Sequence, residues 1–139
     1  MTSERSERRY SSGLLDTCTL IDLDTIPPET LPVIPEVSAV TVAELAAGVH
    51  TTRDPVQRSL RVTRLLMIEA NMDPLPFDDD AAKMYGNLCA LVVAAGRNPR
   101  PRRLDLMIAA TATLHRVPLF TRNVDDFKGL DSQLTVIAV

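Results

Sequence analysis

The sequence predicts an α/β sandwich with a mainly parallel central sheet flanked by helices. Three observations carry that prediction. Short apolar or β-branched runs alternate with longer stretches whose apolar residues recur at helical spacing. The longer stretches carry their own start and stop signals, and the segments between them are polar or proline-rich. At 139 residues and 45% hydrophobic content the chain has material for one sizeable core, placed at residues 13–139 as a single domain. Residues 1–12, "MTSERSERRYSS", are expected to form a mobile arm, because nothing in them anchors to a core.

The elements follow in order. "SGLLDTCTLIDL" has a strand-like core ending near Asp16, then a turn or short helix. "PPETLPVIPE" holds four of the ten prolines and reads as a connecting loop without regular structure. "VSAV" is short and β-branched enough for a buried strand, and "TVAELAAGVH" reads as a helix, with Thr41 and Glu44 at capping-box spacing. "DPVQRSLRVTRLLMIEAN" has Asp54 as its cap and Pro55 at the first helical position. "FDDDAAKMYGNLCALVVAAGRNP" places acids in its first turn and Gly96 and Pro99 as stop signals. "RRLDLMIAATATLHR" supplies the next helix, "VPLFT" a strand, "RNVDDFKGLD" a turn-rich link and "LTVIAV" a last strand.

Composition removes several classes of function. There is no long uncharged apolar run and no apolar block near the start, so neither a membrane span nor a secretory signal is expected, and the protein is expected in the cytoplasm. Cys18 and Cys89 are far apart and fit neither a zinc ligand set nor a disulfide framework; both read as core thiols. A net charge of −3 gives no global reason to bind a polyanion. Local charge is more informative. Arginines gather in "RNPRPRR" (97–103), and Arg58, Arg61 and Arg64 recur at a spacing that lines one helix face. These read either as solvated surfaces or as contacts for phosphate or an acidic partner.

Four acids share one structural address. Asp16 ends the first strand, Glu44 opens the helix after "VSAV", Asp105 opens the helix after the arginine loop, and Asp126 lies just beyond "VPLFT". In a parallel α/β sheet the carboxyl ends of the strands form the ligand crevice, and helix starts face the same edge. Singly, three of the acids have structural explanations: a capping box for Glu44, the helix dipole for Asp105, a solvated turn for Asp126 with Asp125. Asp16 resists one, since an acid within an apolar segment risks an unpaired buried charge. Clustered carboxylates either take up protons or bind a cation. Hard oxygen ligands without cysteine or histidine suit Mg²⁺, with Mn²⁺ as the alternative, and such an ion serves phosphodiester hydrolysis. His50 and His115 stand outside the acidic set and read as surface or helix-end residues.

The set "LLDTCTLIDL", "VTVAELAAG", "LDLMIAATATLHRVPLFTRN" and "VDDF" resembles the PIN-domain family, and within it the VapC-type toxins of bacterial toxin-antitoxin pairs. The resemblance runs from about Gly13 to the C-terminus, with four separated motifs in order. It implies a PIN-like three-layer sandwich and a magnesium-dependent ribonuclease that cleaves RNA. It further implies a homodimer neutralised by a cognate VapB-like antitoxin. Carried over by motif, Asp16 and Asp105 become the central metal ligands, Glu44 completes the acidic set, and Asp126 is the fourth acid. Thr17, Thr121 and Asn123 are implied as polar support. Arg97, Arg100, Arg102, Arg103 and Arg122 are candidates to contact RNA or the antitoxin. The polar arm before "GLLDT" is longer than such proteins usually carry.

Two other classes compete. A phosphoacceptor signalling domain also gathers acids around Mg²⁺, but it needs a pair of acids after the first strand and a lysine where Arg122 stands. The remaining alternative is a non-catalytic PIN-like binding or regulatory module whose acids are helix caps.

Overall fold

A computed structural model describes residues 9–139. Four strands form one sheet: β1 (Ser12–Leu15), β2 (Ile34–Glu36), β3 (Leu119–Thr121) and β4 (Val136–Ala138). Their order is β2-β1-β3-β4, and every neighbouring pair is parallel. Five helices surround the sheet: α1 (Thr17–Ile21), α2 (Ala39–Val49), α3 (Pro55–Asn71), α4 (Asp79–Ala94) and α5 (Arg103–Leu114).

The period of two along each strand divides the core into two layers. Leu14 pairs in register with Leu119, and Leu15 with Phe120. Leu14 and Leu119 pack with Leu88, Val92, Leu106 and Ile108, which puts α4 and α5 on one face. Leu15 and Phe120 pack with Leu20, Leu45 and Ile68, which puts α1, α2 and α3 on the other. The result is the expected three-layer sandwich, here with an all-parallel sheet.

Local chemistry starts most helices. Asp54 caps α3 by accepting from the Val56 amide, and Pro55 occupies the first turn. Asp78 caps α4 by accepting from the Ala81 amide, with Asp79 and Asp80 beside the positive helix end. Gly96 follows α4 at φ +77, the left-handed conformation that glycine adopts without strain.

Three expectations need correction. "VSAV" is not a strand: Val37 lies outside any element, Ser38 is extended, and α2 already begins at Ala39. Its cap is Ser38, whose hydroxyl accepts from the Thr41 amide, so Thr41 and Glu44 do not form a capping box. The strand lies earlier, at Ile34–Glu36, inside the proline-rich loop. Pro35 fits there because β2 is an edge strand, where a missing N–H breaks no ladder toward a further neighbour.

The expected arm falls mostly on residues outside the described ones, but its last four residues belong to the fold. The Arg9 guanidinium donates to the carbonyls of Leu31 (3.1 Å), Pro28 (3.0 Å) and Pro32 (3.3 Å). The Tyr10 ring meets Phe120 edge-on at 5.9 Å, and Ser12 opens β1. Arg9 thereby ties the start of the described chain to the proline-rich loop.

Candidate active site at the carboxyl edge of the sheet

Strand β1 ends by delivering Asp16 to the carboxyl edge, where it also caps α1. Asp16 is 4% exposed, yet both carboxylate oxygens are partnered. Oδ1 accepts from the Thr19 amide (3.0 Å), and Oδ2 accepts from the Thr121 hydroxyl at the end of β3 (2.6 Å). Thr121 Oγ1 in turn accepts from the Asn123 amide (2.9 Å), so Asn123 serves the site through its backbone. No cation pairs with Asp16 among the described residues.

A chain of hydroxyls sets the second acid. Glu44 lies in the second turn of α2, too far in to cap it. Its Oε1 accepts from Thr17 Oγ1 (2.8 Å), and Thr17 Oγ1 lies 3.0 Å from Thr41 Oγ1. Thr17 has one hydroxyl proton, and Glu44 takes it, so Thr41 is the donor in the second contact. Ser38 Oγ stands behind Thr41 at 3.4 Å. Such a relay fixes Glu44 in a rotamer that an isolated surface glutamate would not hold.

Asp105 sits in the first turn of α5, whose N-cap Arg102 provides no side-chain cap. Burial pushes the Asp105 carboxyl up from 3.8 to about 6, helped by the charges of Asp126, Asp16 and Glu44 and opposed by Arg102. The same acids act on Cys18. Desolvation raises its thiol pKa first, and then Asp16, Asp105, Glu44 and Asp22 raise it further. Asp105 and Cys18 thus both register one concentrated negative field. Cys18 itself is exposed, which corrects the expectation of a core thiol there, whereas Cys89 is half-buried and packs against the core of α4 and α5. His50 and His115 end α2 and α5 as exposed residues.

Asp126 lies on a short 3-10 turn, Val124–Phe127, just after β3. It is half-buried, with Arg102 Nε 3.7 Å from its Oδ1. The neighbouring Asp125 is exposed and pairs with Lys128 (3.3 Å). Arg100 and Arg103 line a cleft of about 580 Å³ with Glu44, Asp105, Pro101 and Leu104. Arg97 donates to the Asp125 carbonyl (2.9 Å). Arg122 turns elsewhere: its guanidinium donates to Thr25 Oγ1 (3.0 Å) and pairs with Asp22 (3.4 Å), while its amide donates to Thr19 Oγ1 (3.2 Å).

Thr19 and Ser38 were not among the residues expected at the site, and Thr41 was expected only as a helix cap. Their signal was the density of hydroxyls in "DTCT" and "SAVT", next to two of the acids.

Among the described residues no three His, Cys, Asp or Glu side chains stand close enough to make a ready-made metal cage. The donor chemistry nonetheless fits a hard divalent ion. Asp16 is buried with no counter-ion among the described residues, Asp105 feels the charges of Asp16, Glu44 and Asp126, and magnesium takes few protein oxygens and keeps several waters.

Fold and acid set together define a class. The sequence profile of the PIN domain family matches residues 34–132. The chain belongs to the PIN domain family, in its VapC-type branch. It is 36% identical to Ribonuclease VapC5 of Mycobacterium tuberculosis over 129 residues, covering 91% of this chain and 93% of that one. It is 35% identical to VapC ribonuclease Y4jK of Sinorhizobium fredii over 102 residues, covering 68% and 69%. Among solved structures it is similar to VapBC-5 from Mycobacterium tuberculosis, a member of the VapBC family of toxin-antitoxin systems. There the TM-score is 0.78 at 34% identity, covering 93% of this chain and 99% of the other.

Proposed function

We propose that the chain is a Mg²⁺-dependent ribonuclease toxin that hydrolyses RNA phosphodiester bonds and is neutralised by a VapB-like antitoxin. Mn²⁺ is the alternative ion. The observation that carries this reading is Asp16: a carboxylate 4% exposed, held by two hydrogen bonds and by no cation among the described residues, whose charge acts on Asp105 together with those of Glu44 and Asp126. A purely structural acid of this burial is normally neutralised by a protein partner.

In this reading Asp16 and Asp105 would hold the ion, with Glu44 and Asp126 completing the set. When bound, the ion supplies positive charge to a phosphate oxygen and acidifies a water. The chain does the rest. Thr121 and the Thr19 amide fix the Asp16 carboxylate, and the Ser38–Thr41–Thr17 relay orients Glu44. Arg100 and Arg103 offer cations for backbone phosphates beside Glu44 and Asp105. The raised proton affinity of Asp105 means that a bound cation, by offsetting the charge of the acid set, would favour its ionised form.

The antitoxin partner is supported by similar solved structures, which include VapBC-5, of a family of toxin-antitoxin systems, and a toxin-antitoxin complex from Klebsiella pneumoniae. The surface that suits such a partner is α3, where Val56, Leu60, Val62, Leu66 and Met67 are all exposed.

The test is RNA cleavage by the purified protein with Mg²⁺, with Mn²⁺ and with excess chelator. Activity is expected with either ion, abolished by chelation and reduced at least a hundredfold in Asp16→Asn and Asp105→Asn. Cleavage that survives both chelation and Asp105→Asn sinks the reading. A folded protein without cleavage under any condition favours the non-catalytic module.

A further inference from the structure

The arginine-rich stretch divides into two pairs with different targets. Arg100 and Arg103 line the open cleft, whereas Arg97 and Arg102 both reach the Val124–Phe127 turn that carries Asp126. Arg97 donates to the backbone carbonyl of Asp125 (2.9 Å). Arg102 Nε lies 3.7 Å from Asp126 Oδ1 and is buried without a hydrogen-bond partner. That distance is too long for a hydrogen bond but close for an ion pair.

Asp126 needs such help more than the other acids do. Asp16 is fixed by strand ends, and Glu44 and Asp105 ride on helices of 11 and 12 residues. Asp126 rides on a four-residue turn with no side-chain cap. Within the turn the backbone contributes Asp126 N to Asn123 O at 3.1 Å and a longer Lys128 N to Asp125 O at 3.4 Å. Phe127 is a buried anchor on one side. Like-charge repulsion between Asp126 and Asp105 acts to push Asp126 outward. Opposing that push are two arginines from one loop, one on the turn's backbone and one on its acid. The Arg102–Asp126 pair is partly covered, at 30% and 38% side-chain exposure, so solvent screens it less than the open Lys83–Asp79 pair at 73% and 85%.

We infer that Arg97 and Arg102 are positioning residues: they clamp the Val124–Phe127 turn so that Asp126 stays with the acidic set, and they do not contact RNA. The inference rests on the metal-dependent reading of the site for its consequence, but the clamp itself has a readout that needs no metal.

Three measurements on the full chain test it, using Arg97→Gln, Arg102→Gln and the charge-keeping Arg102→Lys. First, amide exchange in metal-free protein is expected to speed up at least tenfold at residues 124–128 in the two glutamine variants, with the strands unchanged. Arg102→Lys is expected to recover much of the protection. Second, the Mn²⁺ concentration needed for half of the melting-temperature rise is expected to increase about tenfold in Arg102→Gln, as for losses of groups that orient metal ligands. Third, with an RNA oligonucleotide at saturating Mn²⁺, KM is expected to stay within about twofold of wild type in both glutamine variants. Unchanged exchange at 124–128 overturns the clamp outright. A variant with wild-type Mn²⁺ response and raised KM overturns it in favour of a direct RNA contact. If wild type itself gives no Mn²⁺ response, the metal reading fails, and the exchange result alone then decides the clamp.

Discussion

Asp16 and Thr121 make the tightest polar contact of the site, a hydroxyl held 2.6 Å from a buried carboxylate oxygen. Replacing Thr121 with Val keeps the shape and leaves Asp16 Oδ2 without its donor. A stability loss of about 1–3 kcal/mol is expected, read as a lower urea midpoint at unchanged slope. Cleavage is expected to fall at least tenfold, because the carboxylate loses its orientation. Asp105 gives a second prediction, in pH. Its pKa in the folded state is raised from 3.8 to about 6, so the native protein holds this proton more tightly than the unfolded chain does. The stability it contributes is therefore fully present below the lower value and lost as pH rises through the upper one. In chelator, Asp105→Asn is expected to melt about 3 °C higher than wild type near neutral pH and to converge with it toward pH 4. That rise corresponds to about 1 kcal/mol once solvent screening of a half-exposed group is allowed for. Parallel melting curves across that range would remove the raised pKa. The four acids were legible from the sequence because a charge beside an apolar run stands out at once. Thr17 and Thr121 were legible only through the family resemblance, and which acid each serves was not, since Thr17 and Glu44 are 27 residues apart and Asp16 and Thr121 are 105 apart.

Among the elements, α2 shows where local signals mislead and where they suffice. "VSAV" looked like a strand because Val37 and Val40 flank it. The hydroxyl of Ser38 instead starts a helix, and the strand register is set by Ser12–Leu14 pairing with Ile34–Glu36. That pairing is a long-range choice, invisible to a window of a few residues. The strands here are three or four residues long, so their alternation carries little information. By contrast α3 and α4 announce themselves, since Asp54, Pro55 and Asp78–Asp80 start the helices through their own local chemistry. The arginine line on α3 was legible as a line but not as a fastener. Arg58 donates to the Thr52 carbonyl (2.9 Å) and Arg61 to the Gly48 carbonyl (2.6 Å), tying α3 to the end of α2. Ser38→Ala tests the corrected cap. About 1 kcal/mol of stability is expected to be lost, as for other serine caps. Because Ser38 also backs Thr41 in the relay to Glu44, kcat is expected to drop severalfold while KM stays fixed. A stability loss with unchanged kcat would confine Ser38 to capping.

At the scale of the whole molecule, the acidic edge and the face of α3 pose different problems of exposure. The sheet edge concentrates negative charge in a chain whose net charge is only −3. Helix α3 concentrates apolar surface: of its 17 residues only Ile68 is buried, while Val56, Leu60, Leu66 and Met67 are each more than half exposed. A helix within a protein gains most of its stability from packing, so a helix with this much uncovered apolar area is unfinished without a partner. In the proposed reading the antitoxin covers it. Each leucine- or methionine-sized side chain buried there adds roughly 1.5–3 kcal/mol to association, close to tenfold or more in affinity. Leu60→Asp with Met67→Asp is therefore expected to weaken the complex with the co-expressed antitoxin at least a hundredfold by calorimetry. Both positions are exposed and distant in sequence from the acidic set, so the free double variant is expected to keep the wild-type Mn²⁺ response and RNA cleavage. In cells such a protein would escape neutralisation and stop growth even with antitoxin present. Unaltered affinity would move the antitoxin to another surface, and loss of cleavage in the free variant would show that α3 supports the catalytic edge instead.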